Sequence, residues 1–322
     1  MTDFTGKVAI VTGAGRGMGR QHALALAASG ARVVVNDLGV ATDGSGPSAG
    51  PADKVVAEII AAGGEALAST ASVADEPESM VAAALDAWGR VDIVINNAGV
   101  SGLGGRIDEI PLEHHDLMID THYRGALQLA RAAWPHLIAA GGGRVVNTSS
   151  EAVFGVGAAS HYCSAKSAVI GLTRSLAIDG AAAGIAVNAI MPNGYTRMAA
   201  GVPQEAYHAW AGKHFAPELV SPFVLWLCSP ECSVNGELFV VGGGRVARVF
   251  FGVAAGLRLQ APVPEDYTSH VAELMSLQGF ATPATCAEHM QFTAACLGAS
   301  EDEAAALDPS NWHKMGWTAR RD

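Results

Sequence analysis

The sequence predicts an α/β fold in which a doubly wound, parallel sheet is covered by helices on both faces. Short runs of Val and Ile recur without alternating with polar residues, helical stretches separate these runs, and glycines close the helical stretches. Apolar runs that do not alternate are typical of parallel strands buried on both faces. Strands that alternate with helices in this way are joined by right-handed crossovers, which build a doubly wound sheet.

The predicted elements follow one another from the N-terminus. The apolar runs of the predicted strands are 8–11, 33–35, 93–95, 145–146 and 185–190. The helical stretches that end at a glycine are 18–29, 53–62, 76–88 and 113–140. Glycine accepts the left-handed dihedral angles of a helix end, so each of these positions is a stop signal.

The pattern changes after the three glycines at 242–244. Beyond them the strand-like runs are lost, and helical patterns cover 265–279 and 283–297. We therefore expect a first domain over 1–244 and a mainly helical extension over 245–322.

The composition excludes several classes of partner. The 322 residues carry 20 basic and 31 acidic side chains, a formal net charge of −11. Nucleic acids and anionic membranes bind clustered Lys and Arg, so neither is expected as a partner.

The five cysteines are scattered, and Cys228 and Cys232 have no further ligands nearby in the sequence, so we expect neither a disulfide framework nor a metal site. With no signal peptide and no membrane-spanning run, the prediction is a cytoplasmic protein.

A glycine-rich turn follows the first predicted strand. It runs from Thr12 to Gly19 as Thr-Gly-Ala-Gly-Arg-Gly-Met-Gly and leads directly into a helix. Glycines let the backbone approach a pyrophosphate closely, and the free N–H groups at the helix start face its negative charge. The turn predicts a dinucleotide site.

Asp37 stands at the tip of the second predicted strand, where the dinucleotide's ribose is expected. A carboxylate at this place accepts hydrogen bonds from both ribose hydroxyls of NAD and repels the 2′-phosphate of NADP. Arg16 in the turn favours NADP instead. Since Asp37 acts on the discriminating phosphate directly, NAD is the predicted cofactor.

A second group of residues carries acid–base chemistry. Tyr162 and Lys166 are four residues apart, so on a helix they share one face. A phenol with a pKa of about 10 is a poor base, and bringing that pKa near 7 requires about 4 kcal/mol of differential stabilisation, which a nearby ammonium helps to supply. Ser149, thirteen residues before Tyr162, stands at the end of the predicted strand Arg144 to Thr148 and is expected to hydrogen-bond a substrate oxygen.

Together these motifs resemble the short-chain dehydrogenase/reductase family over residues 6–244. The resemblance rests on Thr12 to Gly19, Asn96-Asn97-Ala98-Gly99, Ser149, Tyr162 and Lys166. It implies a seven-stranded Rossmann sheet, with Tyr162 as the acid–base group and Lys166 both lowering the phenol's pKa and binding the nicotinamide ribose. The cofactor-binding residues that the resemblance implies are Thr12, Gly13, Arg16, Gly17, Met18, Gly19, Asp37, Ser72, Val73, Asn97, Ala98, Gly99, Tyr162, Lys166, Asn193 and Thr196.

Two positions depart from the family pattern. Ser72-Val73 stands where the family usually has Asp-Val at the adenine. His122 stands three residues before Gly125, where the family usually has an Asn that holds a proton-relaying water. Histidine also donates and accepts hydrogen bonds, so His122 is either a fourth catalytic residue or a packing residue of the helix.

A closer likeness narrows the substrate. Segments such as Val33–Gly39 and Val224–Cys228 resemble the dehydrogenase part of the type 2 peroxisomal multifunctional enzymes, a subfamily that also has His at this position. That resemblance implies NAD-dependent oxidation of a (3R)-3-hydroxyacyl-CoA, with the 17β-hydroxyl of a steroid as the alternative substrate. A non-catalytic nucleotide sensor on the same fold is the alternative of another class. The family pairs through two long helices, here 113–140 and 160–180, so a homodimer is expected.

Overall fold

The structure is a computed structural model that describes residues 2–46, 48, 50–199, 205–300 and 303. The chain forms two compact units, Met1–Val249 and Phe250–Asp322. The functional residues predicted above all lie in the first unit.

The first unit is built on one mostly parallel sheet in the order β3-β2-β1-β4-β5-β6-β7-β8. Neighbouring strands are parallel throughout, except for β7 and β8, which are antiparallel. The strands are β1 (Val8–Thr12), β2 (Arg32–Asn36), β3 (Glu65–Ser69), β4 (Ile93–Asn96), β5 (Gly143–Thr148), β6 (Ile185–Asn193), β7 (Leu238–Gly242) and β8 (Arg245–Val249). The predicted doubly wound parallel sheet is confirmed, and its seven parallel strands carry one further strand.

The eighth strand lies just beyond the boundary predicted at residue 244. Val246 and Arg248 of this strand are exposed while Ala247 and Val249 are half-buried, as expected of an edge strand with one face in water. It pairs with β7 from Leu238 opposite Val249 to Gly242 opposite Arg245. The first compact unit therefore continues to Val249, and the extension does not begin with helices.

Helices flank both faces of the sheet. They are α1 (Gly17–Ala28), α2 (Gly50–Ala61), α3 (Pro77–Trp88), α4 (Leu112–Met118), α5 (Gly125–Ala139), α6 (Ser160–Ala181), α7 (Glu205–His214) and α8 (Ser221–Cys228). A π-helical segment, Ile119–Arg124, joins α4 to α5, so the long helix predicted at 113–140 is continuous but widened in the middle. Such local widenings are frequent at functional sites, and this one carries His122.

The core lies on both faces of the sheet, which explains the non-alternating apolar runs. All five residues of β1 are buried, with Ala9 and Val11 in one hydrophobic cluster and Val8 and Ile10 in the other. Between β1 and β4 the strand order reverses, and the carboxyl ends of these strands leave a crevice where ligands of such sheets bind.

The second unit contains three short helices in its described part. They are α9 (Pro264–Ser269), α10 (Val271–Leu274) and α11 (Cys286–Cys296), which match the two helical stretches predicted there in part. Residues 301–302 and 304–322 of the predicted extension lie outside the described residues. In the described part of the chain, no helix has both the length and the apolar character needed to cross a membrane.

Candidate active site

The glycine-rich turn brings backbone against backbone at the crevice. A Cβ atom on Gly13 would lie 2.8 Å from the Cα atom of Ala98, and one on Gly19 would lie 2.3 Å from the carbonyl oxygen of Gly13. Gly13 and Gly17 also have positive φ angles, which favour glycine. The turn is thus shaped by its glycines, and α1 begins within it at Gly17 without a side-chain cap, so its first N–H groups are available to a phosphate.

Thr12 and Asn97 fasten the ends of β1 and β4 to each other. The Thr12 hydroxyl oxygen accepts hydrogen bonds from the backbone N–H groups of Asn97 and Ala98, both at 3.0 Å. The Asn97 amide donates to the carbonyls of Thr12 (2.8 Å) and Gly13 (3.1 Å). The predicted cofactor residues of the first and fourth strands are therefore brought together in one rigid cradle.

The Asp37 carboxylate lies at the tip of β2 and faces the same turn. Its two oxygens accept hydrogen bonds from the backbone N–H groups of Gly15 (2.8 Å) and Gly39 (2.7 Å). Arg16 is turned to the carbonyl of Val40, to which it donates at 3.2 Å. A negative charge is thus held where the ribose of a dinucleotide is expected, while the neighbouring guanidinium is engaged elsewhere.

The loop after β6 approaches the turn from the other side. A Cβ atom on Gly17 would meet the Thr196 methyl at 3.4 Å, and one on Gly194 would meet the Met18 sulfur at 2.8 Å. Asn193 ends β6 opposite Gly242 of β7. Glycines thus bring Met18, Gly17 and Thr196 into one group.

The predicted adenine residues lie after β3. Ser72 donates a hydrogen bond to the Asp75 carboxylate at 2.6 Å. Val73 lies against Gly125 at the start of α5, where a Cβ atom would be 2.7 Å from a Val73 methyl. Gly99 is similarly close to His122, whose Cε1 atom would be 2.6 Å from a Cβ there.

Tyr162 and Lys166 lie on one side of α6, as their spacing predicts. The Lys166 ammonium is 5.7 Å from the centre of the Tyr162 ring and donates a hydrogen bond to the Thr148 carbonyl at 2.8 Å. Burial lowers the pKa of Lys166 to about 7, because the charged form is disfavoured away from water. Burial also raises the pKa of the Tyr162 phenol, and the Ser150 side chain that faces the phenol lowers this pKa in part. The protein by itself therefore raises the pKa of the phenol, whereas the sequence predicted a fall.

The two serines at the end of β5 have different surroundings from those predicted. Ser149 is 2% exposed, and its hydroxyl donates to the backbone carbonyl of Lys166 at 2.9 Å. It is the Ser150 side chain that faces the Tyr162 phenol and lowers its pKa. The Ser150 oxygen also accepts from the Ala152 N–H at 3.1 Å, as the cap of a short 3-10 helix, Glu151–Phe154. The Ser149 hydroxyl is thus directed to the backbone of α6, and the hydroxyl that faces the phenol belongs to the next residue.

His122 is buried edge-on against Tyr162. The ring centres are 5.3 Å apart at 88°, and the Nε2 atom of His122 lies 2.8 Å from the Val100 carbonyl oxygen. Since a carbonyl only accepts, Nε2 carries the proton and Nδ1 is left as an acceptor. Burial and the charge of Lys166 hold the pKa of His122 well below its usual range, so the ring is neutral.

A small cavity lies beside His122. It is lined by Thr12, Val73, Asn96, Ala98, Thr121, His122, Gly125, Ala126, Thr148 and Val169. Two buried atoms among these residues, His122 Nδ1 and Thr148 Oγ1, have no hydrogen-bond partner in the described structure. In the same described part of the chain, no group of three or more His, Cys, Asp or Glu side chains is arranged to hold a metal ion.

Comparison with known proteins gives the family. The family model described as short chain dehydrogenase matches residues 7–206. The peroxisomal multifunctional enzyme type 2 of Mus musculus is 40% identical over 292 residues, which are 88% of this chain and 39% of that protein. This chain therefore spans well under half the length of that relative.

Two solved structures extend the likeness to the fold. A short chain dehydrogenase from Mycobacterium avium is 39% identical with a TM-score of 0.71, over 85% of this chain and 96% of that one. A 7α-hydroxysteroid dehydrogenase in complex with NADH and 7-oxo glycochenodeoxycholic acid is 30% identical with a TM-score of 0.68, over 75% of this chain and 95% of that one. On its sequence, its sheet and the residues at the crevice, the chain belongs to the short-chain dehydrogenase family and is an oxidoreductase.

Proposed function

We propose that the protein is an NAD-dependent dehydrogenase that oxidises a secondary alcohol, with a (3R)-3-hydroxyacyl-CoA as the substrate and a 3-ketoacyl-CoA as the product. The observation that carries the proposal is the meeting of Tyr162, Lys166 and Ser150 at the crevice that the glycine-rich turn borders. A non-catalytic nucleotide sensor needs the turn but has no use for this acid–base group.

The residues present fit a nicotinamide dinucleotide. The glycine cradle leaves room only for backbone, as a close approach to phosphate requires, and Asp37 carries its charge at the ribose end. A bound nicotinamide ring supplies the hydride acceptor. We propose NAD rather than NADP, because the Asp37 carboxylate repels a 2′-phosphate and Arg16 is held by Val40.

The polar groups of the site divide the proposed work between them. Tyr162 takes the proton of the substrate hydroxyl, and the Ser150 hydroxyl hydrogen-bonds the same substrate oxygen and so orients it. Lys166 uses one of its three donors on Thr148, which leaves two for the ribose hydroxyls of the dinucleotide. The ammonium also stabilises the phenolate, which opposes the effect of burial.

His122 is proposed as part of the route by which this proton leaves. Its Nδ1 atom and the Thr148 hydroxyl are two unpartnered polar atoms on one small cavity, and buried polar groups of this kind ordinarily hold a water molecule. A water at this place lies next to Thr148, whose carbonyl accepts the hydrogen bond of the Lys166 ammonium. His122 thus serves as a neutral acceptor for the water.

Exposed apolar side chains in the segments that follow β4, β5 and β6 support a substrate with a large apolar part. Leu103 follows β4, Phe154 and Val156 follow β5, and Trp210 lies on α7 after β6. All four are at least half exposed to solvent although they are large and apolar. An acyl chain fits such surroundings, and so does a steroid, the second candidate, to which the likeness to the 7α-hydroxysteroid dehydrogenase adds weight. The homodimer and the cytoplasmic location stay predictions.

Initial rates test the proposal. Purified protein is assayed for NADH formation with (3R)-3-hydroxyacyl-CoA thioesters of several chain lengths and with 17β-estradiol, each with NAD and with NADP. The expected result is turnover of the thioesters with NAD, and preference for estradiol would move the assignment to the steroid. Tyr162→Phe is expected to abolish turnover while NADH binding, followed by fluorescence, stays within about twofold of the wild type. Full turnover by Tyr162→Phe, or NADH binding without turnover of any alcohol by the wild type, contradicts the proposal.

A further inference from the structure

Two hydrogen bonds join Lys166, in the first half of α6, to Thr148 and Ser149 at the end of β5. The Lys166 ammonium donates to the Thr148 carbonyl at 2.8 Å, and the Ser149 hydroxyl donates to the Lys166 carbonyl at 2.9 Å. We propose that Ser149 is a positioning residue, which holds Lys166 at the distance where its ammonium reaches Thr148 and the dinucleotide's ribose. The inference rests on the proposed function of the site.

The end of β5, which takes part in both hydrogen bonds, is itself held in place by the sheet. Thr148 lies opposite Ile190 in the register of β5 and β6, and the Ser149 N–H donates to the Ile190 carbonyl at 2.8 Å. The backbone on both sides of Thr148 is therefore held by the sheet. Lys166 lies on helix α6, and the Ser149 hydroxyl links the backbone of this residue to the sheet.

The charge on Lys166 makes this position sensitive. The residue is 4% exposed, and no carboxylate in the described part of the chain lies within 4.0 Å of its ammonium. The titratable groups that face it are Tyr162 on its own helix and His122 on the π-helical segment. Since both are neutral in the resting site, the Thr148 carbonyl is the acceptor that favours the charged amine.

A definite change in pH dependence follows from the loss of the Ser149 hydroxyl. A shifted Lys166 loses part of its hydrogen bond to Thr148, so its charged form becomes less stable and its pKa falls further. The phenol of Tyr162 then has less positive charge nearby, so its own pKa rises. The acid limb of kcat/KM for alcohol oxidation is therefore expected to move to higher pH, by about half a unit or more.

The experiment compares Ser149→Ala with a matched control, Thr173→Val. Thr173 is also a buried hydroxyl between β5 and α6, since it accepts from the Asn147 amide at 2.9 Å and donates to the Val169 carbonyl at 2.8 Å. It makes no contact with Lys166 among the hydrogen bonds of the described residues. Both variants are expected to lower the denaturation midpoint, but only Ser149→Ala should shift the pH profile and lower kcat at pH 7, roughly tenfold.

A second measurement does not depend on turnover. NADH affinity is titrated by fluorescence from pH 6 to 9, and the pH at which affinity is half lost reports the charge on Lys166. Ser149→Ala is expected to move this midpoint down, whereas Thr173→Val and Ser149→Thr, which keeps a hydroxyl at 149, should match the wild type. Equal midpoints and equal pH profiles for Ser149→Ala and Thr173→Val would overturn the inference. If the wild type oxidises no alcohol, the proposed function fails, and the NADH titration still decides the role of Ser149. If Ser149→Thr does not fold, the comparison of Ser149→Ala with Thr173→Val still decides it.

Discussion

The hydroxyl of Ser150 faces the phenol of Tyr162 and lowers the pKa of that phenol, although the two residues are twelve positions apart in the chain. A capping hydrogen bond from Ala152 fixes the Ser150 oxygen, so its hydrogen can point to an oxygen beside the phenol. Ser149, one residue earlier, is directed to the backbone of α6 instead. Two adjacent serines thus serve the same helix in different ways.

Ser150→Ala is expected to reduce kcat strongly and to leave NADH binding unchanged. The variant removes a donor that acts on the substrate oxygen, and loss of one such donor costs roughly 10²-fold in rate. Steady-state kinetics with the best thioester and NADH fluorescence titration measure the two effects. The adjacent Ser149→Ala variant serves as the comparison, since it is expected to alter NADH affinity and the pH profile. A wild-type rate for Ser150→Ala would show that another group orients the alcohol.

The choice between the two serines was beyond sequence reasoning for a physical reason. Successive side chains at a strand end point to opposite sides, so a shift of one residue exchanges a hydroxyl facing the crevice for one facing a helix. A spacing of thirteen residues to Tyr162 selected Ser149, whereas the contact with the phenol is made at twelve. The loop between them, with its short 3-10 helix, sets this register.

Other features followed from local chemistry and were predictable. The glycine-rich turn, Asp37 at a strand tip and the four-residue spacing of Tyr162 and Lys166 each depend on neighbours in sequence. The π-helical segment and the pKa of Tyr162 depend on packing between distant elements, which no short motif records. The phenol and the ammonium are buried by packing between distant elements. This burial raises the pKa of the phenol, whereas the nearby ammonium alone would lower it.

Asp37→Ser is expected to weaken the preference for NAD over NADP by at least roughly tenfold in the ratio of kcat/KM values. The substitution removes the charge that repels a 2′-phosphate, together with the carboxylate that accepts hydrogen bonds from Gly15 and Gly39. Asp53→Ser, which removes an exposed acidic residue from the first turn of α2, is the control with an equal change in net charge. Wild-type protein that prefers NADP, or an unchanged ratio in Asp37→Ser, would contradict the role given to this carboxylate.

Lys166→Met is expected to abolish dehydrogenase activity and to stabilise the fold at neutral pH. The lysine titrates at about 7 in the folded protein against 10.5 as its ordinary value. Between these two pH values the unfolded chain binds the extra proton, so the free energy of unfolding of the wild type rises with pH. Below pH 7 the cost of the buried amine is present in full, on the order of 5 kcal/mol, and the unpaired Thr148 carbonyl of the variant offsets part of the gain.

Denaturation midpoints from pH 6 to pH 10 test this expectation. The advantage of Lys166→Met over the wild type should be largest at pH 6 to 7 and should shrink as the pH rises toward 10. Lys54→Met, which removes an exposed lysine of α2, should leave the pH dependence of the wild type unchanged. A difference between Lys166→Met and the wild type that stays constant over this range would mean that the amine is not held against its charge.

Gly19→Ala is expected to disrupt the cradle because of its position and not because of its backbone angles. A methyl group at Gly19 would lie 2.3 Å from the Gly13 carbonyl oxygen and 2.3 Å from the Asn97 amide nitrogen. The carbonyl belongs to a turn fixed by hydrogen bonds between β1 and β4, and the amide makes two of these bonds, so neither atom can give way at low cost. Overpacking of this kind costs about 1–3 kcal/mol, and NADH affinity should fall more than tenfold as the turn opens.

Gly50→Ala is the matched control, since a methyl group there meets nothing within 4 Å at the exposed start of α2 and alanine favours a helix. Thermal denaturation and NADH titration of both variants separate a general effect of the added methyl from a local one, and equal behaviour of the two would refute the steric argument for the turn.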